Sequence, residues 1–171
     1  ARWDIWQEDI AHAVRWMGRQ AGVPTILWGL RLGVPLMLSY AQTRDQPIET
    51  FLMWQPVVNG DVHLTQFLRL RLTGEVLAGA ASRTGTRDLK LALKEGQTLE
   101  IAGYELASAL AEAIEASKLS NLGVAGSTCH WCEVTSGDPA AVLPASRVVL
   151  DGWQRRGIDV HAEAVVAEPF W

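Results

Sequence analysis

The sequence lacks most features that would place a chain of 171 residues in a special class. Its two cysteines, Cys129 and Cys132, are too few for a disulfide scaffold, so a reducing compartment is the simpler expectation. No apolar run reaches the roughly eighteen residues that span a bilayer. Basic residues form no stripe: 15 Lys and Arg are scattered among 19 Asp and Glu, for a net charge of −4, which argues against a nucleic-acid partner. There is no internal repeat. Apolar residues make up 49% and charged residues 20%, which excludes disorder and leaves an ordinary globular protein of one domain. The opening Ala1-Arg2-Trp3-Asp4 has no initiator methionine and no signal-peptide pattern. Two aromatics, Phe170 and Trp171, close the chain straight after a strand-like run, so the ends are expected to be cut from a longer protein.

What is present is an α/β rhythm. Residues 3–20 predict a helix whose apolar face is Trp6, Ile10, Ala13 and Met17, with Trp3, Trp6 and Trp16 anchoring it to a sheet. Residues 24–28 predict a short buried strand, then a helix to about Ala41 with Pro35 in its first turn. A second strand is expected over 48–54, before Pro56. The middle differs. A helix is expected over 63–72, with Leu64, Phe67, Leu68 and Leu72 on one side and Arg69 and Arg71 as a solvated face. A polar loop follows over 79–88, then a short strand over 98–101 and an alanine-rich helix over 108–116. Strand 129–134, helix 145–156 and strand 159–166 then restore the rhythm. Two α/β halves, about 1–56 and 118–171, therefore flank a helical insertion over 57–117, and a mostly parallel sheet of about four strands is the expected core.

The informative segment is Gly29-Leu30-Arg31-Leu32-Gly33. A buried strand runs into it and a helix starts at once, the context of a nucleophile elbow. The turn presses strand and helix backbones together, so its flanking side chains must vanish. The central residue then projects from the C-terminal edge of the sheet, where α/β proteins bind ligands. An ordinary βα turn containing two glycines is the alternative.

The stretches Leu27-Trp28-Gly29-Leu30-Arg31-Leu32-Gly33, Leu52-Met53-Trp54-Gln55-Pro56-Val57, Leu64-Thr65-Gln66-Phe67-Leu68-Arg69-Leu70-Arg71, Ile101-Ala102-Gly103-Tyr104-Glu105-Leu106 and the closing Pro169-Phe170-Trp171 together resemble the α/β-hydrolase superfamily. The resemblance is to the exosortase A system-associated hydrolases of the kind labelled hydrolase 2, and it covers most of the chain in order. It implies a doubly wound sheet with helices on both faces, a helical cap, and a start just before the elbow strand. It also implies a bacterial cytoplasmic protein found alongside the machinery that sorts PEP-CTERM proteins and makes exopolysaccharide. It supplies no substrate.

Arg31 occupies the nucleophile slot, and a guanidinium stays protonated with no lone pair to offer. Ser39 lies roughly 12 Å further along the helix, too far to substitute. Leu32 keeps the backbone N–H that would serve an oxyanion hole. The acid slot falls to Glu133 or Asp138, and the stretch Ala167-Glu168-Pro169-Phe170 carries no histidine to act as base. His161, inside a strand, is expected to point away from the catalytic edge. Serine-triad hydrolysis is therefore not expected of this sequence. A carboxylate or phosphate docked at the helix N-terminus would meet both the Arg31 fork and unpaired backbone N–H groups; the alternative is that Arg31 pairs with Glu133, Asp138 or Glu168 and only holds the turn.

Trp28 and Trp54 end neighbouring strands and are candidates for the mouth of such a pocket, and His63, opening the middle helix, for a cap or a ligand contact. His12 is expected at the surface. Cys129-His130-Trp131-Cys132 offers one cysteine pair where structural zinc wants four ligands, so the thiols read as core residues. No cofactor or metal is expected, and no membrane span. The partners expected are an anionic small molecule, or a second copy meeting the exposed strand at residues 25–28.

Overall fold

The computed structural model describes residues 1–43, 48–77, 85–135 and 142–168. They divide into two compact units, one comprising Ala1–Ile5 and Asn59–Ser117, the other Trp6–Val58 and Lys118–Trp171.

The second unit is built on a four-stranded parallel sheet. Its strands are β1 (Ile26–Leu30), β2 (Thr50–Trp54), β5 (Thr128–Thr135) and β6 (Asp159–Val166), side by side in that order. Register runs Leu30 to Trp54, Trp54 to Cys132 and Cys132 to Glu163. Helix α1 (Trp3–Ala21) precedes β1, α2 (Gly33–Gln42) follows it, and α6 (Pro144–Arg155) joins β5 to β6. All three helices contribute to a single apolar cluster. In it Ala11 and Val14 of α1, Val34, Met37 and Leu38 of α2, and Val149, Leu150 and Trp153 of α6 meet Phe51, Met53, Cys129 and Trp131 of the strands. Trp131 meets Trp153 edge to face with ring centroids 5.7 Å apart, and the Trp153 indole donates to the Leu119 carbonyl at 3.0 Å.

Two expectations are corrected here. Strand order follows chain order, so the described sheet has no switch point, and among the described residues of this unit α1, α2 and α6 all pack on one face. On the face opposite the core, Ile26, Trp28, Leu52, His130, His161 and Glu163 are exposed. The buried stripe of α1 also lies about one residue round from the expected one. Ala11 and Val14 are buried, whereas Ala13, Met17 and Trp16 are exposed, Trp16 by 55%, so Trp16 is not among the residues of the core. Apolar character marked the helix, but position on the 100° spiral decided which side chains met the core. His12 is exposed, as expected.

The other unit holds α3 (Gly60–Leu77), α4 (Thr86–Lys94), a hairpin of β3 (Leu99–Ile101) and β4 (Tyr104–Leu106), and α5 (Ser108–Ala116). Leu64 and Leu68, with Leu89, Leu93, Ile101, Leu110 and Ile114, are buried there. Gly60 starts α3 hard against α5; a Cβ on it would stand 1.7 Å from the Ile114 carbonyl oxygen. Asn59 caps α3, its side-chain oxygen accepting from the N–H groups of Asp61 and Val62 at 3.0 and 3.2 Å. Lys90 bridges Asp61 and Glu115. The polar loop expected over 79–88 is corrected at its end. Thr86, Arg87 and Asp88 are the first turn of α4, and the Asp88 carboxylate accepts from the Gly85 N–H at 2.8 Å. Residues 79–84 of that loop lie outside the described residues. Strand β4 was not expected; it follows from a two-residue turn in which Ala102 and Gly103 both take positive φ, 51° and 83°, the twist a tight hairpin needs.

No helix among the described residues is long and apolar enough to cross a membrane.

Two predictions follow from the sheet. A Cβ at Gly29 would lie 2.9 Å from the Gly33 carbonyl carbon, the Val34 Cα and the Met37 sulfur, whereas one at Gly33 meets nothing within 4 Å. Gly29→Ala should therefore cost about 1–3 kcal/mol through overpacking, and Gly33→Ala should change stability by no more than about 1 kcal/mol, both read from urea unfolding midpoints. β1 lies at an edge of the sheet with Trp28 63% exposed. Sedimentation velocity should show concentration-dependent association that Trp28→Lys suppresses; a wild-type chain that sediments as one species at every concentration removes this edge as a contact.

Candidate functional site

The candidate site is assembled at the C-terminal ends of β1 and β2. Arg31 stands between the last residue of β1 and the start of α2, and it does so at φ 53°. A bulky L-residue rarely adopts positive φ, and the surroundings must over-determine it. Here they do. The Arg31 N–H continues the sheet ladder by donating to the Trp54 carbonyl at 2.9 Å. Its own carbonyl accepts from Val34 at 3.2 Å and from Val57 at 3.3 Å, tying the bend to the helix on one side and to the segment after β2 on the other. Gly29, four residues before the first residue of α2, lets strand and helix approach within the distance a Cβ would fill. Of the two glycines expected to be sterically required, Gly29 is and Gly33 is not.

The Arg31 side chain is half-buried, and that burial lowers the guanidinium pKa from its ordinary value. Leu32 follows as the residue that opens α2, its carbonyl accepting from the Leu36 N–H at 3.4 Å. Its N–H belongs to the first turn, where helix donors have no partner within the helix.

Gln55, next to Arg31 across the sheet, was not foreseen. It too has positive φ, 45°. Its N–H donates to the Cys132 carbonyl at 2.7 Å, and its side-chain oxygen accepts from the Val134 N–H at 2.6 Å. One side chain thus ties the end of β2 to the end of β5. The sequence signal was faint: a polar residue between a strand and Pro56, ordinary for any strand end.

Trp28 and Trp54 come together as expected of neighbouring strands, rings stacked with centroids 6.2 Å apart. Trp54 ends β2 beside Arg31, but Trp28 sits within β1 rather than at its end, on the exposed sheet face. Glu133 is not part of this constellation. It is 3% exposed and points into the core under α6, where Trp131 Nε1 donates to it at 3.0 Å, the Leu143 N–H at 2.7 Å and the Ser146 hydroxyl closely. These donors fill the carboxylate, which anchors the start of α6 where negative charge suits the helix dipole. The suggested pairing of Glu133 with Arg31 is thereby corrected. Asp138 and Pro169-Phe170-Trp171 lie outside the described residues. His63 sits half-buried in the first turn of α3, in the other unit; the cap there is Asn59.

Ser39 does not replace a nucleophile. Its hydroxyl donates to the Leu36 carbonyl at 2.9 Å and accepts from the Gln7 amide at 2.9 Å, fastening α2 to α1. The two cysteines face opposite sides of β5, Cys129 into the core and Cys132 outward and half-buried. Burial pushes the Cys129 thiol up to about 11. Cys132 is raised as well, by burial first and then by Glu163 and Glu133.

Comparison with known proteins finds no family model that matches the chain and no curated protein similar to it.

Glu133→Ala would leave the buried Trp131 indole and Ser146 hydroxyl without an acceptor. The expected loss is about 2–4 kcal/mol of stability, measured by urea unfolding, with Glu133→Gln less damaging because an amide oxygen still accepts.

Proposed function

We propose that the chain is the elbow-bearing part of an α/β-hydrolase-like protein of the exosortase A system-associated kind, one in which arginine replaces the nucleophile. On this reading it is a bacterial cytoplasmic protein working alongside PEP-CTERM sorting and exopolysaccharide synthesis, with the insertion between its halves as the family's cap. The observation that carries the reading is Arg31 at φ 53° in the bend between β1 and α2 of a parallel sheet, with Gly29 allowing the close approach. A strained residue projecting from that edge is how the fold presents its reacting group. The same residue sets the chemical limit: a guanidinium neither attacks a carbonyl nor accepts a proton.

A second reading on the same fold is a non-catalytic anion site, favoured by the half-buried guanidinium lying at the N-terminus of α2. A guanidinium fork together with helix N–H groups would suit a carboxylate or phosphate.

Two measurements separate these readings. A serine-directed fluorophosphonate probe is expected to leave the chain unlabelled; a labelled serine would restore a nucleophile and overturn the non-catalytic elbow. Titration with inorganic phosphate and with acetate is expected to show binding that Arg31→Ala weakens at least tenfold. Equal affinity in the variant removes the anion site and leaves the family reading standing.

A further inference from the structure

On the sheet face away from the helices, His130 of β5 and His161 of β6 stand in register. Both are exposed, and their rings stack with centroids 5.2 Å apart and planes 17° from parallel. With Leu52, Cys132 and Glu163 they line an open depression of about 220 Å³. Asp159, two residues before His161 and so on the same face, holds His161 Nε2 at 3.1 Å from its carboxylate. A ring nitrogen engaged by a carboxylate carries the proton and leaves the lone pair on the other, here Nδ1. Histidines that bind metals are oriented in this way, by a carboxylate on the far nitrogen.

We propose that His130 and His161 form a two-imidazole clamp for a divalent transition-metal ion, Zn²⁺ or its neighbours Ni²⁺ and Cu²⁺. Imidazole suits these ions, whereas Mg²⁺ and Ca²⁺ prefer oxygen. Two nitrogens bound tetrahedrally at 2.0–2.1 Å from one ion lie roughly 3.4 Å apart. Each lone pair lies in its own ring plane, so the stacked pair chelates only by turning both rings out of the stack about χ2, a broad torsion in histidine, until the two planes meet at the ion. Among the described residues no group of three His, Cys, Asp or Glu side chains is placed to hold a metal. The protein therefore supplies two ligands, and water completes the shell. Cys132 lies one step along the same face, half-buried and opposite Glu163, and is not one of the two ligands. The clamp is separate from the elbow and does not rest on the function proposed above.

Isothermal titration calorimetry of the whole chain with ZnCl₂ tests it. One Zn²⁺ per chain is expected. His130→Ala and His161→Ala should each weaken binding at least tenfold, Asp159→Asn by about tenfold or more, and Cys132→Ser should leave it unchanged. Excess Zn²⁺ should also raise the melting temperature of the wild type and not of either histidine variant. The proposal is overturned by a wild type that takes up no Zn²⁺, by binding that survives both histidine substitutions, or by binding lost in Cys132→Ser alone.

Discussion

The site depends on the absence of one methyl group. Strand β1 and helix α2 lie so close at Gly29 that a Cβ would stand 2.9 Å from two backbone atoms and the Met37 sulfur. That approach makes the bend sharp, and the sharp bend places Arg31 in the left-handed region, which side chains other than glycine rarely enter. Strain of this kind persists when hydrogen bonds on both sides leave the residue no alternative. Trp54, Val34 and Val57 supply them. Gln55 repeats the pattern on the next strand, so two adjacent strand ends carry strained backbone side by side.

Much of the second unit was legible in the sequence because its signals are local. Strand β6 and helices α1, α2 and α6 follow from periodicity and from Gly or Pro at their boundaries, and the close approach of β1 and α2 from Gly29. Along β5 buried and exposed residues alternate, Cys129, Trp131 and Glu133 facing the core and Thr128, His130 and Cys132 the open side, so the charged Glu133 breaks the polar-outward rule. What failed needed information from elsewhere in the chain. Glu133 was, with Asp138, a candidate for the acid by resemblance, but it lies within β5 and its role is set by Leu143 and Ser146, ten and thirteen residues away. Helix α4 hid behind a polar first turn, although Leu89 and Leu93, four apart, were its buried face. Helices on both faces of the sheet came from resemblance alone, and the residues of the second face are instead exposed.

The two charged residues that drew attention in the sequence therefore do different work. Glu133 is enclosed by donors and fastens α6 to the sheet, a role in stability. Arg31 stands at the sheet's C-terminal edge, half out of water, at the start of a helix. The Trp131, Leu143 and Ser146 donors explain why the chain tolerates a carboxylate in its core, whereas Arg31 remains partly exposed.

The opposite orientation of the two thiols on β5 governs how the chain meets an oxidant. Residues three apart on a strand face opposite sides of the sheet, so Cys129 and Cys132 cannot bridge without tearing β5 from its neighbours. They are the chain's only cysteines. A sulfenic acid formed at the outward Cys132 is therefore not resolved by Cys129. A thiol that reaches it from the open side of the sheet, such as glutathione, would cap it as a mixed disulfide.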